Sequence, residues 1–296
     1  MEILSGILSF TFLAQIFRMM TPYYLGASGA NFSERAGVIN ISIEGFMNMA
    51  AFSFAVFSIF TGNSILALVL CLIVNIILSI IFSLFTVTLK INQIVTGVGF
   101  NLLIAGVTKF LMVLFFSSSS NTPRISVHPE MAFSITLFAI ALIFISIHLL
   151  YKTKFGLRLR SVGENPWAAE SLGVKVMNYK YAGVIISGLL SALGGIWLVS
   201  SQNNYSDGMI AGRGYIALAA MIIGKWKPLN IFFACLMFAA FEALEITLQI
   251  SGADIPTQLI QMLPYLITIL VLIGFIGKQS LRLQTGYLTD LDSWSA

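Results

Sequence analysis

Long apolar runs recur along the chain with short polar breaks between them, and this pattern predicts its elements. A bilayer core about 30 Å thick takes roughly 20 apolar residues as a helix. Spans are predicted near residues 3–27, 36–60, 64–88, 94–116, 131–151, 181–201 and 229–249. Two shorter runs, near 210–224 and 263–277, bring the expected count to about nine, within 8–10. The chain reads as an all-α polytopic membrane protein: one transmembrane domain over 1–277 and a polar tail over 278–296. No stretch between the spans is long enough to build a second core.

Composition agrees. Hydrophobic residues make up 58% and charged residues 9%, with a mean hydropathy of +0.93, whereas a soluble domain carries about 25% charged residues. Cys71 and Cys235 both fall in apolar runs, which suits small core residues and neither a disulfide framework nor a zinc site. The first run follows an acid rather than a base and has no small-residue cleavage site after it, so it reads as a retained span.

Charge supplies orientation. The connection 117–130 carries one base and the connection 152–180 carries six, and excess Lys and Arg marks the cytoplasmic side. Nine spans then put the N terminus outside and the C terminus inside. Twelve of the 16 bases fall inside, among them Arg35, Lys225 and Lys227, and Arg124 and Arg213 fall outside. Arg18 and Lys109 lie within spans, where they snorkel or face a cavity. The bias accounts for the net charge of +4 without a nucleic-acid partner.

Several chemistries are missing. A phosphate-cradling P-loop needs GxxxxGK[ST], and the nearest approach has Leu272 at the first glycine position and Gln279 at the hydroxyl position. The chain is expected to bind no ATP, so energy for active transport must come from another subunit. His128 and His148 have no Cys or acid at metal spacing, and no metal site is expected. Glu34 and Glu44 as a catalytic pair would lack the nucleophile, metal ligand or His that intramembrane hydrolysis needs, so no enzymatic activity is predicted.

Glycines and polar faces are more informative. "SGLLSALGGI" (Gly188, Gly194, Gly195) and "GVGFNLLIAG" (Gly97, Gly99, Gly106) predict close helix packing. In "YSDGMIAGRGYIALAAMIIGKWKP", Gly208, Gly212 and Gly214 precede only a short apolar run, the mark of a broken or re-entrant helix beside a cavity. A second short segment follows "SGADIPTQLIQMLP", and the two together favour a transporter over an anchor. Glu242, Glu245 and Gln249 share one helical face, which either packs inward or at a subunit interface or contacts the solute. Asn40, Glu44 and Asn48 run up another such face, and with Asn101 and Glu242 they are the candidate solute pathway. Amides with a single acid offer donors and acceptors suited to a neutral polar solute. Glu34 and Arg35 read as an interface pair at the inner corner.

"FSERAGVINISIEG", "TKFGLRLRSVGENPWAAESLGVKV" and "AGRGYIALAAMIIGKWKP" together resemble permease subunits of bacterial ABC importers. The likeness is closest to the nucleoside branch of the family that also holds simple-sugar and branched-chain amino-acid permeases. It implies a type II importer-like helical subunit in the bacterial plasma membrane, paired with a second permease, most simply as a heterodimer. It also implies a cytoplasmic ABC ATPase with two cassettes, which uses the ATP and Mg, and an extracellular substrate-binding (lipo)protein. Vitamin B12-type permeases show a similar order of elements with ten spans. There the counterpart of 219–229 meets the ATPase, and loss of the first span would leave the N terminus outside.

Two cytoplasmic segments are candidates for ATPase coupling. In 163–173, Asn165 is a predicted N-cap with Pro166 at the first helical position and Gly173 as the stop. Gly163, Glu164, Asn165, Pro166, Trp167 and Glu170 form this candidate, whose alternative is a helix resting on lipid headgroups. Lys225, Trp226, Lys227 and Pro228, within 224–230, form the other. Three functions compete: an ATP-driven importer of nucleosides, or of simple sugars or another small polar solute; an ion-coupled transporter using Glu44, Glu242 or Glu245 as proton relays; and a non-transporting scaffold.

Overall fold

The computed structural model describes residues 10–125, 130–250 and 262, and helices supply nearly all of its regular structure. In chain order these are α1 (Phe10–Arg35), α2 (Ile43–Thr61), α3 (Ser64–Ser83), which continues into a π-helical turn at Leu84–Thr88, α4 (Gln93–Phe116) and α5 (Met131–Lys152). The short α6 (Lys154–Glu164) and α7 (Pro166–Ser171) follow, then α8 (Val176–Gln202), α9 (Arg213–Ile223) and α10 (Pro228–Ile250). Local chemistry sets several ends. The Asn63 and Asn92 side chains accept the first free amides of α3 and α4, and α4 and α8 stop at left-handed Ser117 and Asn203.

Six described helices (α2, α3 with its π turn, α4, α5, α8 and α10) are long and apolar enough to cross a membrane. The expected count of nine is therefore not reached among the described residues. Helix α1, with 26 residues, is long enough but too polar to qualify, and α9 has only 11 residues. The run at 263–277 and the tail lie outside the described residues, as does His128. The polarity of α1 has a physical reason. Every residue from 20 to 33 is buried, so protein surrounds the second half of this helix, which needs no lipid-facing apolar surface, while Leu13 and Phe17 in the first half are exposed.

Helices α1, α2 and α8 form the middle of the bundle. The apolar windows of α2 and α8 are 72% buried, against 28–39% for α3, α4, α5 and α10, which therefore form the perimeter. Helix α1 packs on α8, α9 and α10, while α2 packs on α8, α3 and α4. The predicted glycine packing holds for "SGLLSALGGI": a Cβ on Gly195 would lie 2.1 Å from the Met47 carbonyl oxygen. It holds only in part for "GVGFNLLIAG", where Gly97 meets Ile41 but Gly99 and Gly106 face open space. Lys109 pairs with Asp207 at 3.2 Å at one end of the bundle, near the paired loops around Asn121 and Ser206.

One element differs from the periodic reading. Residues 36–42, predicted as the start of a span, leave the helix, and α2 begins only at Ile43. Gly37 takes φ +80°, and Val38, Ile39 and Ile41 disfavour a helix. Asn40 therefore lies before the helix that carries Glu44 and Asn48, and the three do not form one helical face.

Replacing Gly195 with Ala is expected to cost about 1–3 kcal/mol through overpacking. Gly99→Ala, at a site with nothing within 4 Å, should be neutral. Thermal unfolding of the purified protein in detergent separates the two.

Candidate functional site

The unwound segment 36–42 is held by side chains from α4 and α8. Gln93 accepts the Ile39 amide at 2.7 Å. Asn101 accepts the Gly45 amide at 2.8 Å and donates to the Ile41 carbonyl at 3.1 Å and the Tyr215 hydroxyl at 2.9 Å. Asn40 caps its own turn by accepting from the Ser42 amide and hydroxyl, and donates to Ser187 of α8 at 2.9 Å. Asn48 bridges Thr108 of α4 and the hydroxyl of Tyr205. Each of these predicted pathway residues thus carries structural bonds within the bundle.

Glu44 meets the N-terminus of α9. Its two oxygens accept the amides of Gly212 and Gly214 at 2.8 and 2.7 Å, so the carboxylate answers both the free amides and the positive end of the helix dipole. Gly214 is needed here because a Cβ would lie 2.5 Å from the Glu44 backbone nitrogen. The next charge is neutralised too. Arg213 forms a mostly buried ion pair with Glu242 of α10 and also donates to the carbonyls of Met209 and Ile210.

At the opposite, base-rich end, Glu34 and Arg35 both engage the turn after α9. The Trp226 indole donates to Glu34 at 2.6 Å, and Arg35 donates to the Trp226 carbonyl at 3.0 Å and the Tyr151 hydroxyl at 3.3 Å. Lys225 and Trp226 are consecutive left-handed residues, φ 53° and 57°. Such conformations cost about 1–3 kcal/mol each and persist where the surroundings over-determine them. Lys225 and Lys227 face outward, whereas Trp226 is half-buried and Pro228 is buried.

The second predicted coupling segment reaches the same corner. Gly163, at the end of α6, backs onto Arg35 so closely that a Cβ would lie 2.2 Å from the Arg35 carbonyl oxygen. The Arg160 guanidinium sits over the Tyr151 ring, 4.8 Å from its centroid. Asn165 caps α7 as predicted, accepting the Ala168 amide at 3.0 Å, with Pro166 at its start and Gly173 at φ +79° beyond its end. Glu164, Asn165 and Glu170 are exposed, Trp167 is 69% exposed and Leu172 84% exposed. Two large apolar side chains, one on α7 and one just past its end, thus stand in the open.

A cavity of about 480 Å³ opens between the first half of α1, the end of α8, Arg213 and Glu242. Gln15, Arg18, Pro22, Trp197, Ser201 and Gln202 line it. Of the predicted pathway residues, Glu242 stands at its wall. One Glu242 oxygen binds Arg213, and the other is buried with no hydrogen-bond partner among the described residues. Arg18, predicted to snorkel or face a cavity, does the latter. Among the described residues no cluster of His, Cys, Asp and Glu could hold a metal ion.

Residues 12–272 match the family described as branched-chain amino acid transport system / permease component. The chain belongs to this permease family. It is 37% identical to the nucleoside ABC transporter permease protein NupC of Lactococcus lactis, over 87% of this chain and 90% of that protein. It is 36% identical to the guanosine ABC transporter permease protein NupQ of Bacillus subtilis, over 87% and 89% respectively. NupB, a second nucleoside ABC transporter permease protein of the same Lactococcus strain, is 27% identical over 46% of this chain and 37% of its own. Among solved structures, an inward-facing metal-chelate type ABC transporter superposes with a TM-score of 0.45 at 21% identity, covering 87% of this chain and 85% of that one.

Family membership favours the importer reading: the chain is a multi-pass membrane protein of a transport-system permease family, and its relatives are ABC permeases. In this permease the candidate residues separate into three groups: bonds inside the broken segment, a corner around Arg35 and Trp226, and a cavity wall at Glu242. Sequence reading missed Gln93, Tyr205, Tyr215 and Gln15. The partners of Gln93, Tyr205 and Tyr215 lie far away along the chain, Gln15 shows only as part of the cavity wall, and Gln93 beside Asn92 reads simply as part of a helix start.

Asn101→Ala removes the partners of a backbone amide and a carbonyl together. A loss of about 1–3 kcal/mol for each buried group is expected. Thermal unfolding in detergent checks it, with Asn121→Ala in an exposed loop expected within about 0.5 kcal/mol of the unmodified protein.

Proposed function

We propose that this chain is the permease subunit of an ATP-driven importer of nucleosides, with its N terminus outside and its C terminus inside the bacterial plasma membrane. The likeness to NupC and NupQ over most of the chain carries the reading. The geometry supports a neutral solute. The N-terminus of α9 would attract an anion, but Glu44 already occupies it, and Arg213 is spent on Glu242. Gln15 and Gln202 on the cavity wall instead offer both donors and acceptors to a base or ribose, beside the Arg213–Glu242 pair. A cavity of about 480 Å³ lies within the usual range for small-molecule sites.

The partners are a second permease, a cytoplasmic ATPase with two cassettes that uses ATP and Mg, and an extracellular binding lipoprotein. NupB beside NupC in one strain supports a heterodimer. The exposed tip of Trp167 and Leu172 on α7, with Lys225 and Lys227 nearby along the same end, would seat in a groove of the ATPase. ATP binding would then bias outward-open against inward-open states.

The assembled complex in lipid vesicles should accumulate labelled guanosine only with ATP, with unlabelled nucleosides competing and glucose or leucine not. Competition by sugars alone would reassign the solute. Glu242→Gln, which loosens the hold on Arg213 at the cavity wall, should raise the half-saturating concentration about tenfold, the equivalent of about 1.4 kcal/mol. Trp167→Ala should leave assembly intact and cut uptake per ATP hydrolysed; unchanged coupling would shift the contact to 225–228.

A further inference from the structure

One stretch of chain, residues 34–45, grips α9 at both ends. Glu44 accepts the Gly212 and Gly214 amides at 2.8 and 2.7 Å at its start. Glu34 accepts the Trp226 indole N–H at 2.6 Å, and Arg35 donates to the Trp226 carbonyl at 3.0 Å, at its finish. The chain enters and leaves through paired left-handed residues, Ala211–Gly212 (φ 51° and 77°) and Lys225–Trp226 (φ 53° and 57°). Between them stand 11 helical residues, a rod of about 16 Å. The gripping stretch is itself anchored: Asn101 ties Ile41 and Gly45 to Tyr215 of α9, and Gly163 abuts Arg35.

We propose that residues 34–45 form a two-point bracket that makes α9 a rigid strut between the 224–228 turn and the cavity. Glu34, Trp226 and Glu44 are its positioning residues. A rod held at one end pivots, and a rod held at both ends carries displacement along its length. Arg213 is the first residue of that rod, so movement at the turn shifts its guanidinium against Glu242 and changes the charge presented at the cavity wall. Energetic coupling between distant sites travels through such rigid elements and the contacts at their ends. This inference rests on reading the turn as an ATPase contact and the cavity as a solute site.

Amide hydrogen exchange of the assembled complex in lipid tests the bracket without transport. Glu34→Ala and Trp226→Phe act at one end of α9, and each should speed exchange of residues 208–216 at the other end about tenfold or more. Glu34→Gln keeps an acceptor for the indole and should restore protection, with exchange in α2 unchanged throughout as the control for folding. Should Glu34→Ala fail to assemble, Trp226→Phe makes the same comparison. Faster exchange confined to 224–228 overturns the bracket. Uptake per ATP supplies a second reading: for two ends acting in series, Glu34→Ala with Glu44→Gln loses no more than the worse single variant, whereas multiplied losses show independent supports and overturn it. If the unmodified complex shows no ATP-driven uptake, the importer reading fails while the exchange result still decides the bracket.

Discussion

Backbone amides and carbonyls at membrane depth have no water to bond, so irregular chain survives there only where protein satisfies it. Residues 36–42 meet that demand through Gln93, Asn101 and Asn40, and the open start of α9 meets it through Glu44. These two breaks answer each other. The helix that begins after the first break supplies the carboxylate that closes the second, and Asn101 bonds both the break and Tyr215 of α9. Remove either and polar backbone is left buried.

The same economy governs charge. An ionised acid alone at the centre of a helix in lipid costs about 2.5–3.5 kcal/mol, yet Glu44 and Glu242 are both placed where an opposite dipole or charge is fixed beside them. The bundle therefore holds strong local fields while presenting little net charge to a passing solute. The second oxygen of Glu242 is the exception, buried with no hydrogen-bond partner among the described residues.

Local features of the site were legible in the sequence. Asn165, Pro166 and Gly173 act through neighbours a few residues away, and the structure places the cap and the stop as their order implies. The long apolar runs also gave real helices. The apolar run predicted a first span near 3–27, whereas the described helix continues to Arg35, because its polar second half, Met20 to Ser33, is enclosed by protein rather than by lipid. Helical spacing misjudged Asn40 because periodicity cannot register a break whose stabilising partners, Gln93, Asn101 and Ser187, stand more than 50 residues away.

The sequence also posed a choice between two coupling segments that the fold reframes. The 163–173 and 224–228 stretches converge on Arg35, one through the close approach of Gly163 and the other through the Trp226 carbonyl. Tyr151 adds a third tie by accepting from Arg35 while lying under Arg160. A force applied to either segment reaches the end of α1, one of the three helices in the middle of the bundle. Because α1 packs along α8, α9 and α10, displacement of that corner is resisted by the whole core rather than absorbed by a loop. The charged motif that begins at Glu34 is then a junction: its first two residues gather the base-rich turns, and Glu44, ten positions on, holds the helix whose first residue stands at the cavity.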